Sequence, residues 1–440
     1  MYWAYSALLA LGLLVSLPYW LLEGLRHGKY RAGFGERLGR VPDRLAKQPL
    51  RGTIWVHAVS LGEVLAIRGL VAELRRRLPA HRVVVSTTTD TGQKLARERF
   101  GEENVFYFPL DLGFAIRPYL RQLRPELVVI AETEFWPNFL RLARASGARI
   151  AVVNARISDR SWPGYRRWRG ILVRVLEPVS LFLTQTEEDR RRLLAIGAQA
   201  DRVQVCGNLK FDVSLPPPLP IVSSLRAAFA QAGATPVIVC GSTVEGEEAL
   251  LVSAFEVVLA SHTRAVMVLA PRHPERFTEV RQLLDASGVP GWRRSEWSSG
   301  PIAGGVLLLD SIGELAAIYA LGDMAFVGGS LVPRGGHNIL EPAQHGVPIL
   351  VGKHTENFRD VVESFESRHA VRVVGPADLP AALVELASNE VERKALGQRA
   401  LEALRAQTGA TERTLASLEG LLELRFPICE RDGGRATLPQ

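Results

Sequence analysis

The stretch Thr53-Ile-Trp-Val-His-Ala-Val-Ser-Leu-Gly-Glu63 decides the predicted fold, because in it a buried strand leads directly into a helix. The apolar run Thr53–Val59 predicts the strand, and the helix is predicted from about Leu61 to Leu78. In open α/β sheets, ligands bind at the carboxyl ends of strands, where this junction lies. Two interpretations of Glu63 stay open: a capping box with Ser60 (S-x-x-E), or a general base aimed into a cleft.

Composition places the chain among globular proteins and suggests an anionic partner. Its 440 residues are 47% hydrophobic and 22% charged, which favours two or three domains. The net charge of +7 favours a phosphorylated substrate or anionic lipid. Nucleic acid is not favoured, because there is no long basic tail and no nucleic-acid motif. Cys206, Cys240 and Cys429 are far apart, so we predict neither a disulfide framework nor a zinc site.

The N-terminal segment Met1–Leu22 has no charged side chain and carries aromatic residues near both ends. About 20 apolar residues span a bilayer core, so we predict a single-pass transmembrane anchor over residues 1–25. The basic residues that follow indicate by the positive-inside rule that the remaining chain is cytoplasmic. A cleaved signal peptide and a helix that docks on the folded domain are the alternatives.

After Gly52 the sequence alternates between apolar β-rich runs and helical patterns, which is typical of a parallel sheet covered on both faces. We predict one doubly wound, Rossmann-like domain over residues 26–213. Its strands are predicted at Ile54–Val59, Val83–Thr87, Val105–Pro109, Leu127–Glu132, Ile150–Asn154, Leu181–Thr184 and Val203–Cys206.

A proline-rich stretch, Ser214-Leu-Pro-Pro-Pro-Leu-Pro220, predicts a stiff linker over residues 214–222. The alternation then restarts in a second Rossmann-like domain over residues 223–425, which faces the first across a cleft. The last helical stretch is predicted at Glu390–Leu424, and residues 426–440 form a loose tail. The strands of this domain are predicted at Val237–Gly241, Ala265–Ala270, Val306–Asp310, Met324–Gly328, Ile349–Val351 and Val371–Val374.

Polar residues that follow the predicted strands of the first domain are candidate functional residues. Glu132 and Glu134 end an apolar strand, where a buried carboxylate needs a partner or a function. Lys210 precedes the linker and is predicted either to hold a phosphate or to be a solvated surface cation. The basic and aromatic residues between Trp162 and Arg169 are suited to an anionic lipid surface, although a solvated helix face is the alternative.

Four polar stretches at successive strand ends of the second domain favour nucleotide binding. Arginine suits bidentate phosphate contact, and glycine-rich turns before helices offer backbone N–H groups to phosphate. No P-loop, GxGxxG or HExxH motif occurs, so we expect no nicotinamide cofactor and no metal site. The four stretches are Gly241–Glu247, Ala270–Arg276, Asp310–Leu315, and Gly328–Ser330 with Arg334–Glu341.

Seven short motifs in one order resemble the bacterial 3-deoxy-D-manno-octulosonic acid (Kdo) transferases that act on lipid A. The resemblance runs from the N-terminal segment to the last helix. The motifs are H-x-V-S-x-G-E at His57–Glu63, E-T-E-x-W-P-N at Glu132–Asn138, N-A-R at Asn154–Arg156, G-N-L-K-F-D at Gly207–Asp212, P-R-H-P-E-R at Pro271–Arg276, G-E-L at Gly313–Leu315 and G-G-S…R-G-G-H-N at Gly328–Asn338.

The resemblance implies a GT-B glycosyltransferase of lipopolysaccharide synthesis at the inner membrane, with CMP-Kdo as donor substrate, no cofactor, and a lipid A precursor as acceptor. It implies that Glu63 is the catalytic base, assisted by Glu132 and Lys210. It further implies CMP contacts by Pro271, Arg272, Gly313, Glu314, Leu315, Asn338, Ile339, Leu340 and Glu341. A GT-B enzyme that uses another nucleotide sugar, and a sensor of nucleotide sugars without catalysis, remain alternatives.

Overall fold

The computed structural model describes residues 1–27, 33–46, 52–212 and 218–423, with side chains up to residue 16 in the first of these ranges. The chain divides into two compact units, one comprising Met1–Asp212 with the chain from Thr408, the other Val213–Gln407. Each unit contains a seven-stranded sheet in which all neighbouring strands that pair are parallel. The predicted α/β class with two parallel-sheet domains is therefore confirmed.

The first sheet has the strand order β3-β2-β1-β4-β5-β6-β7. Every strand predicted for this domain is present, with ends that differ by at most two residues, because long apolar runs between turns leave little alternative. The strands are β1 Thr53–His57, β2 Arg82–Thr87, β3 Val105–Tyr107, β4 Pro125–Ala131, β5 Arg149–Ala155, β6 Leu181–Thr184 and β7 Val203–Val205.

Helices cover both faces of this sheet, as the strands' apolar sequence requires. Trp55 of β1 packs on one face against Phe106 and Phe139, with ring centroids 5.3 and 4.8 Å away. Ile54 and Val56 belong to the apolar cluster on the other face. The helices are α1 Tyr2–His27, α2 Phe34–Arg37, α3 Leu61–Arg77, α4 Asp90–Phe100, α5 Gly113–Leu123, α6 Pro137–Ala145, α7 Trp162–Arg167, α8 Arg169–Leu176 and α9 Glu187–Ile196, with a short 3-10 helix at Leu209–Phe211.

The second sheet has the order β10-β11-β9-β8-β12-β13-β14. We did not predict β10, because Gly291-Trp-Arg293 is a short edge strand without an apolar run. The strands are β8 Val237–Thr243, β9 Val266–Pro271, β10 Gly291–Arg293, β11 Gly305–Leu308, β12 Met324–Val327, β13 Ile349–Val351 and β14 Arg372–Val373. The helices are α10 Pro220–Ala232, α11 Glu248–Ser261, α12 Phe277–Ser287, α13 Leu315–Ile318, α14 Leu340–Ala343, α15 Arg359–Glu366, α16 Leu379–Ser388 and α17 Glu390–Arg405.

The final helix, α18 (Ala410–Glu423), belongs to the first unit, although we placed residues 223–425 in one domain. The predicted helix breaks after α17, and Gly409 has a φ of 85°. The Asp212 carboxylate accepts hydrogen bonds from the Gly409 N–H (2.6 Å) and the Thr411 N–H at the start of α18. Long-range capping by Asp212 thus ties α18 to the end of the first domain.

The boundaries of the predicted linker and tail lie partly outside the described residues. Helix α10 begins at Pro220, inside the range 214–222 that we predicted as linker. Proline is favoured at the first helical position, where its missing N–H costs no hydrogen bond. Residues 214–217 of the predicted linker and all of the predicted tail, 426–440, lie outside the described residues.

Helix α1 occupies the predicted anchor, but within the described part of the chain no helix is long and apolar enough to cross a membrane. The predicted transmembrane anchor over residues 1–25 is therefore not supported. The first turns of α1 instead contact the rest of the first unit through polar groups. Asn138 donates a hydrogen bond to the Ser6 hydroxyl (2.9 Å), and the Tyr2 hydroxyl donates to the Arg174 carbonyl (3.2 Å).

Candidate functional site

The topology of the first sheet brings Glu63 and Glu132 to one place. Strand β1 pairs with β2 on one side and with β4 on the other, so the strand order reverses between β1 and β4. Glu63 follows β1, and Glu132 follows β4 directly. Ligands of doubly wound sheets bind in the crevice at this switch point, which makes the two carboxylates the centre of the candidate site in the first unit.

The Glu63 carboxylate folds back onto the start of α3. Ser60 is the N-cap, and its hydroxyl accepts from the Glu63 N–H (3.4 Å) and donates to Glu63 Oε1 (2.9 Å). The Val59 N–H donates to Glu63 Oε2 (2.8 Å). Ser60 thus caps the helix as the capping-box interpretation predicts, but the Glu63 carboxylate accepts from the Val59 N–H, whereas a capping box predicts the Ser60 N–H. The carboxylate therefore faces the start of its own helix, because the Val59 N–H and the Ser60 hydroxyl donate to its two oxygens.

The surroundings of Glu63 stabilise the protonated, neutral form of its carboxyl group relative to the same group in water. Burial raises the pKa of its carboxyl, the Val59 hydrogen bond lowers it, and the negative charge of Glu132 raises it, so that the pKa reaches about 7. Burial also raises the pKa of Glu134, and the neighbouring Glu132 adds to this shift. A carboxyl group with a pKa near 7 exchanges protons readily at neutral pH, as a general base must.

Lys210 lies beside Glu132, its Nζ 3.7 Å from Glu132 Oε1. Lys210 is the middle residue of the 3-10 helix Leu209–Phe211, whose first turn is capped by the side chain of Asn208. Both side chains of the pair are partly exposed, so a ligand can reach them. The structure therefore brings together all three residues predicted to serve catalysis, since the charge of Glu132 also acts on Glu63.

A glycine-rich turn in the second unit, Gly328–Leu331, is occupied by a carboxylate of the protein itself. Glu247 is completely buried. Its Oε1 accepts from the N–H groups of Ser330 (2.9 Å) and Leu331 (2.8 Å), and its Oε2 accepts from those of Gly329 (2.7 Å) and Val244 (3.1 Å).

The Gly328 N–H donates to the Gly241 carbonyl (2.9 Å), so every N–H of this turn has a partner within the protein. The prediction that the backbone of Gly328-Gly-Ser330 cradles a phosphate is therefore wrong. The turn has the composition of an anion site, but Glu247 fills it.

Cationic groups follow β9 in the same unit. The Arg272 N–H donates to the Thr243 carbonyl (2.8 Å), which fixes the backbone and leaves the side chain exposed. Burial lowers the pKa of His337 to about 4, and the positive charges of Arg272 and His273 contribute to the shift. Arg272 and His273 therefore lie near enough to His337 to disfavour a positive charge on it, and an anionic ligand would offset the charge of Arg272.

The other residues predicted to bind CMP have defined surroundings. Glu314 is held by Arg294 through two hydrogen bonds (3.0 and 2.8 Å) and by the Ser311 hydroxyl (2.5 Å). Gly313 is open, since no atom lies within 4 Å of the position of a β-carbon. These contacts fix the turn at Gly313 and leave its backbone accessible.

The segment Asn338–Glu341 leads into α14 and includes its first two residues. Asn338 accepts from the Leu340 N–H (3.1 Å) and donates to Glu341 Oε1 (3.3 Å). Ile339 and Leu340 have buried side chains, so only their backbone is suited to ligand contact. Pro271 ends β9 and is buried beside Arg272.

Comparison with known proteins identifies the family. A family profile described as 3-deoxy-D-manno-octulosonic acid transferase matches residues 32–213. The chain is 33% identical over 423 residues to the 3-deoxy-D-manno-octulosonic acid transferase of Haemophilus influenzae, covering 95% of this chain and 98% of that protein. It is 37% identical over 431 residues to the enzyme of the same name from Bordetella pertussis, covering 94% and 98%.

The chain belongs to the 3-deoxy-D-manno-octulosonic acid transferase family. Members of this family are glycosyltransferases, and the resemblance found in the sequence motifs is confirmed. Among solved structures, the UDP-GlcNAc 2-epimerase of Neisseria meningitidis bound to UDP-GlcNAc is similar with a TM-score of 0.51 at 14% identity, covering 84% of this chain and all of that one. That likeness concerns the fold alone.

Two residues that structure the site of this Kdo transferase family member were predicted only as parts of longer stretches, without the roles that the structure gives them. Asn154 joins β5 to the turn that carries Lys210. Glu247 joins the β8 end to the β12 end. Both lie in stretches that the sequence marked as polar strand ends, but the sequence carries no sign of which backbone N–H groups their side chains bind.

We predict that Glu247→Gln destabilises the second unit by about 3 kcal/mol or more, because an amide cannot accept all four hydrogen bonds and leaves buried N–H groups unpaired. Urea unfolding followed by tryptophan fluorescence measures the change. Glu245→Gln, an exposed neighbour of the same type, is the control and should leave the midpoint unchanged. Equal midpoints for both variants would contradict the role of Glu247.

Proposed function

We propose that the chain transfers Kdo from CMP-Kdo to a lipid A precursor, lipid IVA, with inversion at the anomeric carbon, in lipopolysaccharide synthesis. The observation that carries this proposal is the cluster of Glu63, Glu132 and Lys210 at the switch point of the first sheet, in a chain of the Kdo transferase family. The acceptor binds to the first unit and the donor to the second.

Glu63 is the general base in this proposal. It takes the proton of an acceptor hydroxyl, whose oxygen then attacks the anomeric carbon of Kdo from the face opposite CMP. A carboxylate has about four lone-pair positions, and the cap uses one on each oxygen. Capping and catalysis are therefore compatible, provided that the acceptor hydroxyl approaches a remaining lone pair.

Cations stabilise the departing phosphate of CMP in this proposal. Arg272, with its exposed guanidinium beside His337, suits the phosphate of the bound nucleotide. In the first unit, Lys210 supplies a positive charge to the reacting centre, and its pairing with Glu132 holds the ammonium group in place. CMP leaves as a monophosphate, so no diphosphate has to be neutralised during the reaction.

We expect Glu63→Gln to fold normally and to lose at least about 100-fold in transfer, since general-base catalysis contributes on this order. The assay incubates the protein with CMP-Kdo and tetra-acylated lipid A precursor, and mass spectrometry detects the product. Glu98→Gln, an exposed acid on α4, is the control. Near-normal turnover of Glu63→Gln would restrict Glu63 to capping.

The upward shift of the Glu63 pKa predicts how the rate of wild-type transfer depends on pH. A base acts in its ionised form, and the pKa of Glu63 is raised to about 7. The rate should therefore fall as the pH decreases below about 7, instead of below the usual pKa of a glutamate near 4.3. A rate that stays level down to pH 5.5 would contradict this assignment.

Arg272→Ala should weaken CMP binding about 10-fold or more, because a charge-assisted contact to phosphate contributes about 1.5–3 kcal/mol. Isothermal titration with CMP measures the change, and Arg264→Ala, exposed in the same unit, is the control. Titration with UDP tests the alternative donor: tighter binding of UDP than of CMP would favour a GT-B enzyme that uses another nucleotide sugar.

An anionic lipid surface is the proposed partner of the basic and aromatic segment at α7 and α8. Trp168 is 59% exposed and Ile171 is 44% exposed, although both are large and apolar. Arg166 and Arg167 are exposed beside them. Apolar side chains among arginines suit the headgroup region of a bilayer, and an acceptor with acyl chains has to be met at such a surface.

The double variant Arg166→Glu/Arg167→Glu should bind vesicles containing phosphatidylglycerol at least about 10-fold more weakly, since each basic residue near an anionic surface contributes about 1 kcal/mol. Co-sedimentation with these vesicles measures binding. Arg117→Glu/Arg121→Glu on α5 carries the same change of charge and should bind as the wild type does. Equal losses in both variants would indicate an effect of net charge alone.

A further inference from the structure

We propose that Asn154 is a positioning residue, which places Lys210 against Glu132 by holding the turn that carries the lysine. This inference rests on the proposed function, in which the Lys210–Glu132 pair serves the transfer. Asn154 is not required to touch a substrate in this role. It acts through the backbone of Leu209, the residue that precedes Lys210.

The contact that carries the inference spans 55 residues of sequence. The Leu209 N–H donates a hydrogen bond of 3.0 Å to Asn154 Oδ1, and the Asn154 side chain is almost completely buried, with the residue 1% exposed. The 3-10 helix Leu209–Phe211 has only one turn, so the hydrogen bond from the Leu209 N–H to Asn154, together with the Asn208 cap, fixes the backbone position of Lys210.

The backbone at the site is held in a conformation that non-glycine residues rarely adopt. Asn154 has a φ of 54°, and Glu132, at the end of the neighbouring strand β4, has a φ of 57°. The Glu132 N–H donates to the Val153 carbonyl (2.9 Å), which links the two positions across the strands. Left-handed residues of this kind persist where the surroundings hold them, and they cluster at functional sites.

The amide nitrogen of Asn154 stabilises no other group among the described residues. This atom, Nδ2, is buried and has no hydrogen-bond partner among the described residues. The acceptor oxygen is therefore the end that accounts for the contact with Leu209, and asparagine also tolerates the left-handed backbone. Aspartate shares both properties, whereas glycine keeps the backbone conformation and loses the acceptor. Substitution can separate the two roles.

The experiment compares Asn154→Gly, Asn154→Asp and the control Gln185→Ala. Gln185 donates to the Asn154 carbonyl (3.1 Å), so its removal disturbs the same residue without touching Leu209. We expect Asn154→Gly to lower kcat about 10- to 100-fold, as small misplacements of catalytic groups do. KM for CMP-Kdo should stay unchanged, Asn154→Asp should recover most of the loss, and Gln185→Ala should behave as the wild type does.

A second readout reports on Lys210 without catalysis. The sequence has six lysines, at positions 29, 47, 94, 210, 353 and 394, and NMR of ¹³C-dimethylated protein gives each its own signal, with Lys210 assigned by Lys210→Arg. The Lys210 signal should shift in Asn154→Gly and not in Gln185→Ala, while the melting temperatures show that each variant is folded.

An unmoved Lys210 signal in folded Asn154→Gly, or an equal shift in Gln185→Ala, would overturn the inference. A failure of the proposed function looks different, because the wild type would then form no Kdo product by mass spectrometry. The NMR comparison would still decide in that case whether Asn154 places Lys210.

Discussion

The parallel pairing of β1 with β4 is the contact on which the candidate site depends. Its register matches His57 with Ile130 at the carboxyl ends of the two strands. Chain segments that follow neighbouring parallel strands leave the sheet at the same edge, so Glu63 and Glu132 come close although 69 residues separate them in the sequence. Burial, opposed by the Val59 hydrogen bond and assisted by the negative charge of Glu132, raises the pKa of Glu63 to about 7. The topology of the sheet therefore contributes to the electrostatics of the site by bringing Glu132 near Glu63.

A carboxylate also lies at the switch point of the second sheet, between β8 and β12, but its surroundings are different. Glu247 receives four backbone N–H groups and is fully buried, so its charge is compensated by the fold. Glu63 receives only two hydrogen bonds from the described residues and lies beside like charges. A carboxylate with four donors holds a turn in place, whereas one with two donors and a raised pKa keeps the capacity to accept a proton.

Individual elements show how far local sequence reasoning reached. The strands Leu181–Thr184 and Ile349–Val351 have the bounds that the sequence predicted, because a short continuous apolar run between two turns favours a buried strand of that length. The edge strand β10 was missed, since three residues of mixed character give no such signal. The helix predicted at Glu390–Leu424 is two helices, and its second half joins the other unit through Asp212. No local sequence pattern encodes this contact, because Asp212 and Gly409 are far apart in the chain.

The sequence by itself determined the parallel α/β class, the helix N-cap at Ser60, and the strand ends that carry Glu63, Glu132, Lys210 and Arg272. Each of these features depends on residues that are close in the sequence. The sheet and helix class follows from the spacing of apolar residues, and the N-cap follows from a side chain that bonds to the first turn of its own helix. Only the tertiary structure decided that Glu247 fills the glycine-rich turn, that Asn154 binds the Leu209 N–H beside Lys210, and that the Glu63 carboxylate faces its own helix. Those outcomes depend on which donors and acceptors meet in space. A hydrogen bond between segments that are distant in sequence leaves no repeating pattern of residues from which it could be predicted.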